Sequence, residues 1–474
     1  MISAKYKRLG KNSLYTFIGN IGSKFIGFIM LPFYTRWLTV PDFGTIDLIT
    51  SYSTILYDLF SLCICSAIFI FPKDVNKELQ VKYFTSGLFS SIIIIAAFNI
   101  LFYFAIVFFI PEGNVLHSRY GLICIMSFSL FIQNYTQQFL RSIDKIKLYS
   151  VVGLVYSLSC AAFSFYYVPN YGVTGYVISM TIAAIISVIL TSIFGNLFSY
   201  IAINGFCMSK YREMLVFSFP LIANILITFV QNYSNRPIME SFMGLESMGH
   251  FAVANKLPSI LSMFVPVFAL SWQISVTEEM KTKDYTTFYN NVLRFSVLCL
   301  FILSLLLLPF YPLLMSMLTS PEYHQSWIYI PLLTMSVIFN YMGYFHGANF
   351  TATKKSRYFL YSGIISSAVA LLLNVILIMQ FGMWGAVIAL SLSSIAFSLT
   401  RYYYSRRFVQ VFHWMKYLVM IVVYLLCVSI IILYQSEKWI YYLVSLLGIV
   451  VLLINNRDIT VFVFDQIKRI KNVQ

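Results

Sequence analysis

Carboxylates are scarce in this chain. Asp and Glu number 17 against 32 Lys and Arg in 474 residues, and charged side chains of both signs reach only 10%. A soluble domain carries about 25%, so a water-facing globule is excluded. No nucleotide-binding phosphate loop occurs, which removes an ATP-driven motor. The five histidines (His117, His250, His324, His346, His413) lie far apart and show no metal-ligand spacing. The seven cysteines are too few and scattered for a disulfide framework. Six of them (Cys63, Cys65, Cys124, Cys160, Cys299, Cys427) fall in apolar spans, where cysteine is a small hydrophobe. Long soluble segments are missing too, and no loop on the sparsely charged side exceeds about a dozen residues. That leaves no room for an extramembrane catalytic domain, so no cofactor, metal or enzymatic activity is expected.

What the chain has in excess is apolar residues, 59% of the total. Runs of roughly 20 such residues recur from end to end, each able to cross a ~30 Å hydrocarbon core. Fourteen spans are counted, the first near residue 25 and the last near residue 447. The expected fold class is an all-α polytopic membrane protein. The basic start "MISAKYKRLGKNSLYTF" is followed by no small-residue cleavage site, so its apolar run is expected to stay as a helix. With the N-terminus in the cytoplasm, the inner loops and both termini hold 25 of the 32 Lys and Arg, and the outer loops hold Arg119 and Lys438 alone. This is the positive-inside asymmetry, and it places both termini in the cytoplasm. It also accounts for the net charge of +15 without nucleic acid.

The chain repeats itself. "KIKLYSVVGLVYS" (145–157) aligns with "KSRYFLYSGIISS" (355–367), and "YGVTGYVISM" (171–180) with "FGMWGAVIAL" (381–390). Both alignments share one ungapped offset of 210 residues. A looser pair joins "LTVPDFGTIDL" from Leu38 to "FMGLESMGHFAV" from Phe242. The expected domains are two six-helix halves, residues 1–208 and 209–410, with two further spans and a tail in 411–474. Six spans is an even number, so the halves share one orientation, as in parallel-repeat transporters with a cavity between them.

Helical spacing selects the polar faces. Asp47, Ser51, Thr54, Asp58 and Ser61 form one stripe, and Thr16, Asn20 and Lys24 another. Asn224, Thr228, Gln231 and Asn235 form a third, beside Arg236. Gln137 and Asn340 add to two further spans. Such stripes face the bundle or water rather than lipid. For a lone Asn or Gln, a hydrogen bond between helices is the simpler role. Lys24 and Asp58 lie 17 residues either side of Pro41, so both sit about 25 Å from the hairpin turn. Arg36 and Asp47 share a shallower depth. Two opposite-charge rungs are therefore expected. They are read either as structural ion pairs or as parts of a transport route. In the second reading Lys24, Arg236 and Lys256 bind an anionic, phosphate-bearing substrate. Asp58, and after it Asp47, would carry a coupled ion, with H+ or Na+ left open. Arg236 snorkelling to the outer surface is the competing expectation.

The segments "KRLGKNSLYTFIGNIGSKFIGFIMLPFYTRWLTVPDFGTIDL" (8–48) and "NRPIMESFMGLESMGHFAVANKL" (235–257), with the order of spans, resemble the Wzx-type polysaccharide and O-antigen flippases of the multidrug/oligosaccharidyl-lipid/polysaccharide exporter superfamily. The resemblance implies a V-shaped, MATE-like pair of bundles in the bacterial inner membrane. It implies translocation of an undecaprenyl-pyrophosphate-linked oligosaccharide to the periplasmic leaflet for O-antigen, capsule or another surface polysaccharide. A polymerase and other glycan-assembly proteins are the implied partners, with membrane lipids around them. Lys24, Arg36, Arg236 and Lys256 occupy positions of the family's cationic lumen. Asn235 stands where members often have Asp, and Pro41-Asp42 replaces Gly-x-Glu in the first turn. Two rivals remain: an ion-coupled drug or cation exporter of the same superfamily, and a membrane-embedded glycan polymerase or acyltransferase.

Overall fold

The computed structural model describes residues 22–23, 25–435 and 437–461. The described elements are helical, and no strand occurs among them. Eight helical segments are long and apolar enough to cross a membrane, or nine if the bent pair Val40–Phe60 and Ile64–Ile70 is one span. Fourteen therefore stays an expectation. Three of the eight are far longer than one crossing requires: 50 residues in Ile146–Gly195, 55 in Met208–Ser262 and 49 in Arg357–Ser405. A straight 50-residue helix would run about 75 Å, more than twice the ~30 Å hydrocarbon thickness. All three of these segments break at a glycine, the Met208–Ser262 segment at Gly244 with φ 76° and ψ −179°. Gly172 takes φ 53° and ψ −128°, and Gly382 takes φ 57° and ψ −129°. A side chain is excluded from that region of backbone space.

Positions 210 residues apart adopt matching backbone. Besides Gly172 and Gly382, Asp144 (φ 62°) and Lys354 (φ 56°) are both left-handed. The amides that follow close the same turn, Lys145 N–H to the Leu140 carbonyl and Lys355 N–H to the Phe350 carbonyl, each at 2.9 Å. A Cβ on Gly175 would run into the Tyr167 carbonyl, and one on Gly385 into the Leu377 carbonyl. Each long helix thus folds back on itself with its two arms in backbone contact.

The chain packs as two compact units, Met1–Ala252 and Val253–Gln474. The expected division at 208/209 followed the internal repeat. The packing division falls later because the Met208–Tyr233 helix lies against Val40–Phe60, Ile64–Ile70 and Lys77–Phe109 of the first unit. In that unit Phe84, Phe131, Tyr135 and Phe139 are fully buried, and the Phe84 and Phe139 rings lie 4.4 Å apart. The second unit centres on the Ile330–Ala352 helix, which packs along Arg357–Ser405. Its Phe345 ring stacks on Trp272 at 4.1 Å, and Trp272 donates its indole N–H to the Phe345 carbonyl at 3.1 Å. The opposite surfaces are apolar and open, as at Phe108 and Phe109. Lipid tails are as apolar as these side chains, so burial from water does not hold the helices together. Close packing through small residues does. Gly343 against the Phe397 ring is one such contact.

Gly172→Ala and Gly382→Ala should each lower stability by about 1–3 kcal/mol. Gly153→Ala, at a helical site with nothing within 4 Å of the added methyl, should lower none. Thermal unfolding in a mild detergent checks this; equal midpoints for all three variants would show that the breaks carry no backbone constraint.

A buried charge cluster as candidate functional site

The Val40–Phe60 helix begins with a reciprocal cap. Thr39 Oγ1 accepts from the Asp42 amide, the Asp42 carboxylate accepts from the Thr39 amide, and Pro41 fits the first turn. The helix ends at Ser61 because Leu62 (φ 51°) and Cys63 (φ 59°) are left-handed. The chain then resumes as Ile64–Ile70 at 61° to it. Asp47 lies two turns into this helix.

Asn235–Ala254 is broken at Gly244, and its second arm crosses the Val40–Phe60 helix at close range. A Cβ on Gly44 would meet the Leu245 carbonyl, and one on Gly249 would meet the Val40 carbonyl. These contacts are reciprocal. Residue 40 stands to 44 as 245 stands to 249, within the third and looser repeat alignment. Two glycines permit the crossing, and the first arm brings Arg236 to Asp47. Arg236 Nε donates to Asp47 Oδ2 at 2.7 Å. Nη1 donates to the Asn232 carbonyl at 3.0 Å and, at 3.3 Å, to Asn235 Oδ1. The guanidinium also lies 4.6 Å from the Tyr233 ring centre. Arg236 is 6% exposed, so it does not snorkel to the surface.

One turn on, Glu240 is 9% exposed. Its Oε1 accepts from the Val115 amide and its Oε2 from the Tyr52 hydroxyl at 3.4 Å. With both carboxylates ionised, Asp47, Arg236 and Glu240 together carry one negative charge. The site at Arg236 is thus a neutralised cation with an acid beside it, where a bare cationic patch was expected.

The other expected residues are distributed as follows. Lys24 and Asn20 lie outside the described residues. Arg36 ends the Leu31–Trp37 helix and is exposed; it makes no ion pair with a described residue, so the Arg36–Asp47 rung is corrected to Asp47–Arg236. Asp58 is half-buried and also makes no ion pair among the described residues. Beside it a polar chain leads along the Tyr120–Ser142 helix. Asn134 donates to the Tyr57 hydroxyl at 2.9 Å, Gln138 to Asn134 at 3.1 Å, and Arg141 to Gln138 at 2.9 Å. Ser51 and Gln231 are buried, as is Asn235, whose amide nitrogen has no hydrogen-bond partner among the described residues. Thr54 returns its hydroxyl proton to the Thr50 carbonyl. Gln137 bonds Ser187, and Asn340 bonds Ser394, each at 3.1 Å. These last two are contacts between helices, the simpler role. Asn224 and Thr228 are exposed. Lys256 is exposed at the start of Lys256–Ser262 and belongs to the second unit.

A buried ion pair between chain-distant helices, polar stripes within apolar spans and two helical units define an all-helical multi-pass membrane protein. The chain belongs to the polysaccharide biosynthesis protein family, whose model matches residues 9–272. It is 22% identical over 417 residues to the capsular polysaccharide biosynthesis protein CapF of Staphylococcus aureus, covering 84% of this chain and 99% of that one. Among solved structures it is similar to the lipid II flippase MurJ in an inward closed conformation, with TM-score 0.70, 17% identity, and 96% and 99% of the two chains covered. It is also similar to an inward-facing multidrug resistance MATE family transporter, with TM-score 0.63, 14% identity and coverages of 84% and 94%. At these identities the solved structures establish the fold.

Arg236→Gln leaves the half-buried Asp47 without its counter-charge and should cost about 3 kcal/mol, the lower end for a buried pair. Adding Asp47→Asn should recover most of that loss. Unfolding midpoints of the two single variants and the double variant check the coupling; losses that simply add would mean the pair contributes nothing.

Proposed function

We propose that this protein is a flippase of the bacterial inner membrane, with both termini in the cytoplasm. It carries an undecaprenyl-pyrophosphate-linked oligosaccharide to the periplasmic leaflet by alternating access and makes no covalent change to it. The observation that carries this reading is Arg236, a guanidinium buried in a membrane helix and held by a carboxylate from another span. A pyrophosphate needs several charged donors at once. Arg236 supplies a fork of donors that can exchange Asp47 for phosphate oxygens when the Gly44–Gly249 crossing opens. Family membership and the capsular relative support the substrate class. Lys24, Arg36 and Lys256 are proposed as further headgroup contacts, and glycan-assembly enzymes as partners.

A second reading is an ion-coupled exporter of drugs or cations. The specific observation in its favour is the acidity around Arg236, where Asp47 and Glu240 outnumber the single cation. The substrate decides between the two. Purified protein in liposomes should move labelled lipid-linked oligosaccharide between leaflets with its mass unchanged, and Lys24→Ala should slow this at least tenfold and abolish surface glycan in cells. Normal glycan in that variant would remove Lys24 from the route. Transport of organic cations without lipid-linked sugar would replace the first reading by the second.

Asp58 is the proposed carrier of a coupled proton. Asp58→Asn should then make flipping indifferent to an imposed pH gradient while flipping without a gradient continues. A gradient effect of unchanged size would end that role.

A further inference from the structure

On the face of the second unit that bears its basic loops, the chain between Arg357–Ser405 and Trp414–Leu433 borders an open cavity of about 580 Å³. Tyr402, Arg406, Arg407, Gln410, Val411 and Trp414 line it. The loop is held in place. Asn290 donates to the Gln410 carbonyl at 2.9 Å and accepts from the Phe412 amide at 2.7 Å. Val409 and Val411 are buried beneath it. Tyr402 and Trp414 meet ring to ring at 4.6 Å. Arg407 donates to the Tyr358 hydroxyl at 3.1 Å, and the Arg406 guanidinium lies 4.2 Å from the Tyr403 ring centre. Both arginines are exposed.

Among the described residues that line the cavity there is no carboxylate. No Asp or Glu occurs between Glu322 and Glu437. Asp458 is engaged elsewhere, with Arg294 at 2.5 Å and Lys416 at 2.7 Å. Burial alone would raise its carboxyl, but the hydrogen bonds and charges of these two partners hold it well below the usual range. Two guanidiniums beside a ring and an amide suit a phosphate, which accepts paired donors. An apolar track leaves the same place. Trp414, Leu418, Val422 and Leu426 are spaced by four along one helix and are all exposed, at 41%, 52%, 45% and 56%. Trp at the start of such a track marks the level of the headgroups.

We propose that this cavity binds the phosphate of an anionic phospholipid, whose acyl chains lie along the Trp414–Leu426 track. Basic pockets at helix ends hold anionic headgroups in this way. The site is separate from Arg236, and its occupancy is read by lipid binding whether or not the protein flips a sugar carrier.

The test uses full-length protein in neutral detergent, titrated with phosphatidylglycerol, phosphatidylcholine or inorganic phosphate while thermal unfolding is followed. Phosphatidylglycerol should raise the midpoint and phosphatidylcholine should not. In Arg406→Gln/Arg407→Gln the lipid should bind at least tenfold more weakly. In Lys281→Gln/Lys283→Gln, which removes two exposed lysines elsewhere, it should bind as before. Arg406→Lys/Arg407→Lys keeps the charge but not the fork and should fall between, and it serves in place of the glutamine variant if that one does not fold. Equal weakening in both glutamine pairs would reduce the effect to overall charge and overturn the site. Inorganic phosphate as effective as the lipid would make it a free-anion site and overturn the lipid assignment. No response to phosphatidylglycerol would overturn both.

Discussion

A guanidinium inside hydrocarbon needs a counter-charge, and the helices that supply it must come close enough to deliver it. That requirement organises the first unit. Arg236 can be buried because Asp47 meets it at 2.7 Å. Past the Gly244 break, Gly44 and Gly249 let the same two helices touch along their backbones. The pair stands among groups that hold the crossing from its other side. Glu240, one turn beyond Arg236, ties the crossing helix to Tyr52 and to the Val115 amide. Arg236 is 6% exposed, so removing its carboxylate leaves a buried charge without compensation. The ion pair and the glycine contacts lie on opposite sides of the Gly244 break, so the two arms of Asn235–Ala254 are held to the Val40–Phe60 helix at two separate places.

Much of the fold was legible in the sequence, and the reason is physical. Glycines that permit a forbidden backbone cannot be replaced without strain, so they repeat where the structure repeats. Gly172 and Gly382 were aligned from neighbouring residues alone, and they take the same φ within a few degrees. Lys145 and Lys355 were aligned by charge, and each follows a left-handed residue that ends the preceding helix. The division into units was less legible. A repeat boundary records ancestry and chain order. A packing boundary depends on which neighbours a helix finds, and Met208–Tyr233 finds its neighbours in the first unit.

The site was legible in part. Arg236 and Asp47 were both selected, because charges in apolar runs stand out. Their pairing was not, because depth counted along one hairpin ranks Arg36 as the partner and is blind to a helix nearly 190 residues away. Glu240 was passed over although it sits four residues after Arg236, on the same face of the helix. That spacing was the available signal. Tyr52 and the Val115 amide carried none, since their role arises from where the Val115–Ser118 turn is set against Glu240.

The distribution of acid limits where ion coupling can reside. In the described part of the second unit the carboxylates are Glu278, Glu279, Asp284, Glu322, Glu437 and Asp458. All of them stand at helix ends or in turns. The two helices at the centre of that unit, Ile330–Ala352 and Arg357–Ser405, contain none. Among the described residues, the buried or half-buried carboxylates in helix interiors therefore lie in the first unit, at Asp47, Asp58 and Glu240. Of these, Asp47 and Glu240 already accept hydrogen bonds that fix the helix crossing. Protonating either would loosen that crossing whether or not a substrate is present. Asp58 is different. It lies next to the break at Leu62 and Cys63, faces no cation among the described residues, and adjoins the polar chain from Tyr57 to Arg141. Of the three it is the one whose carboxylate makes no hydrogen bond to a chain-distant helix among the described residues, so its charge can change without loosening the contacts that Asp47 and Glu240 hold.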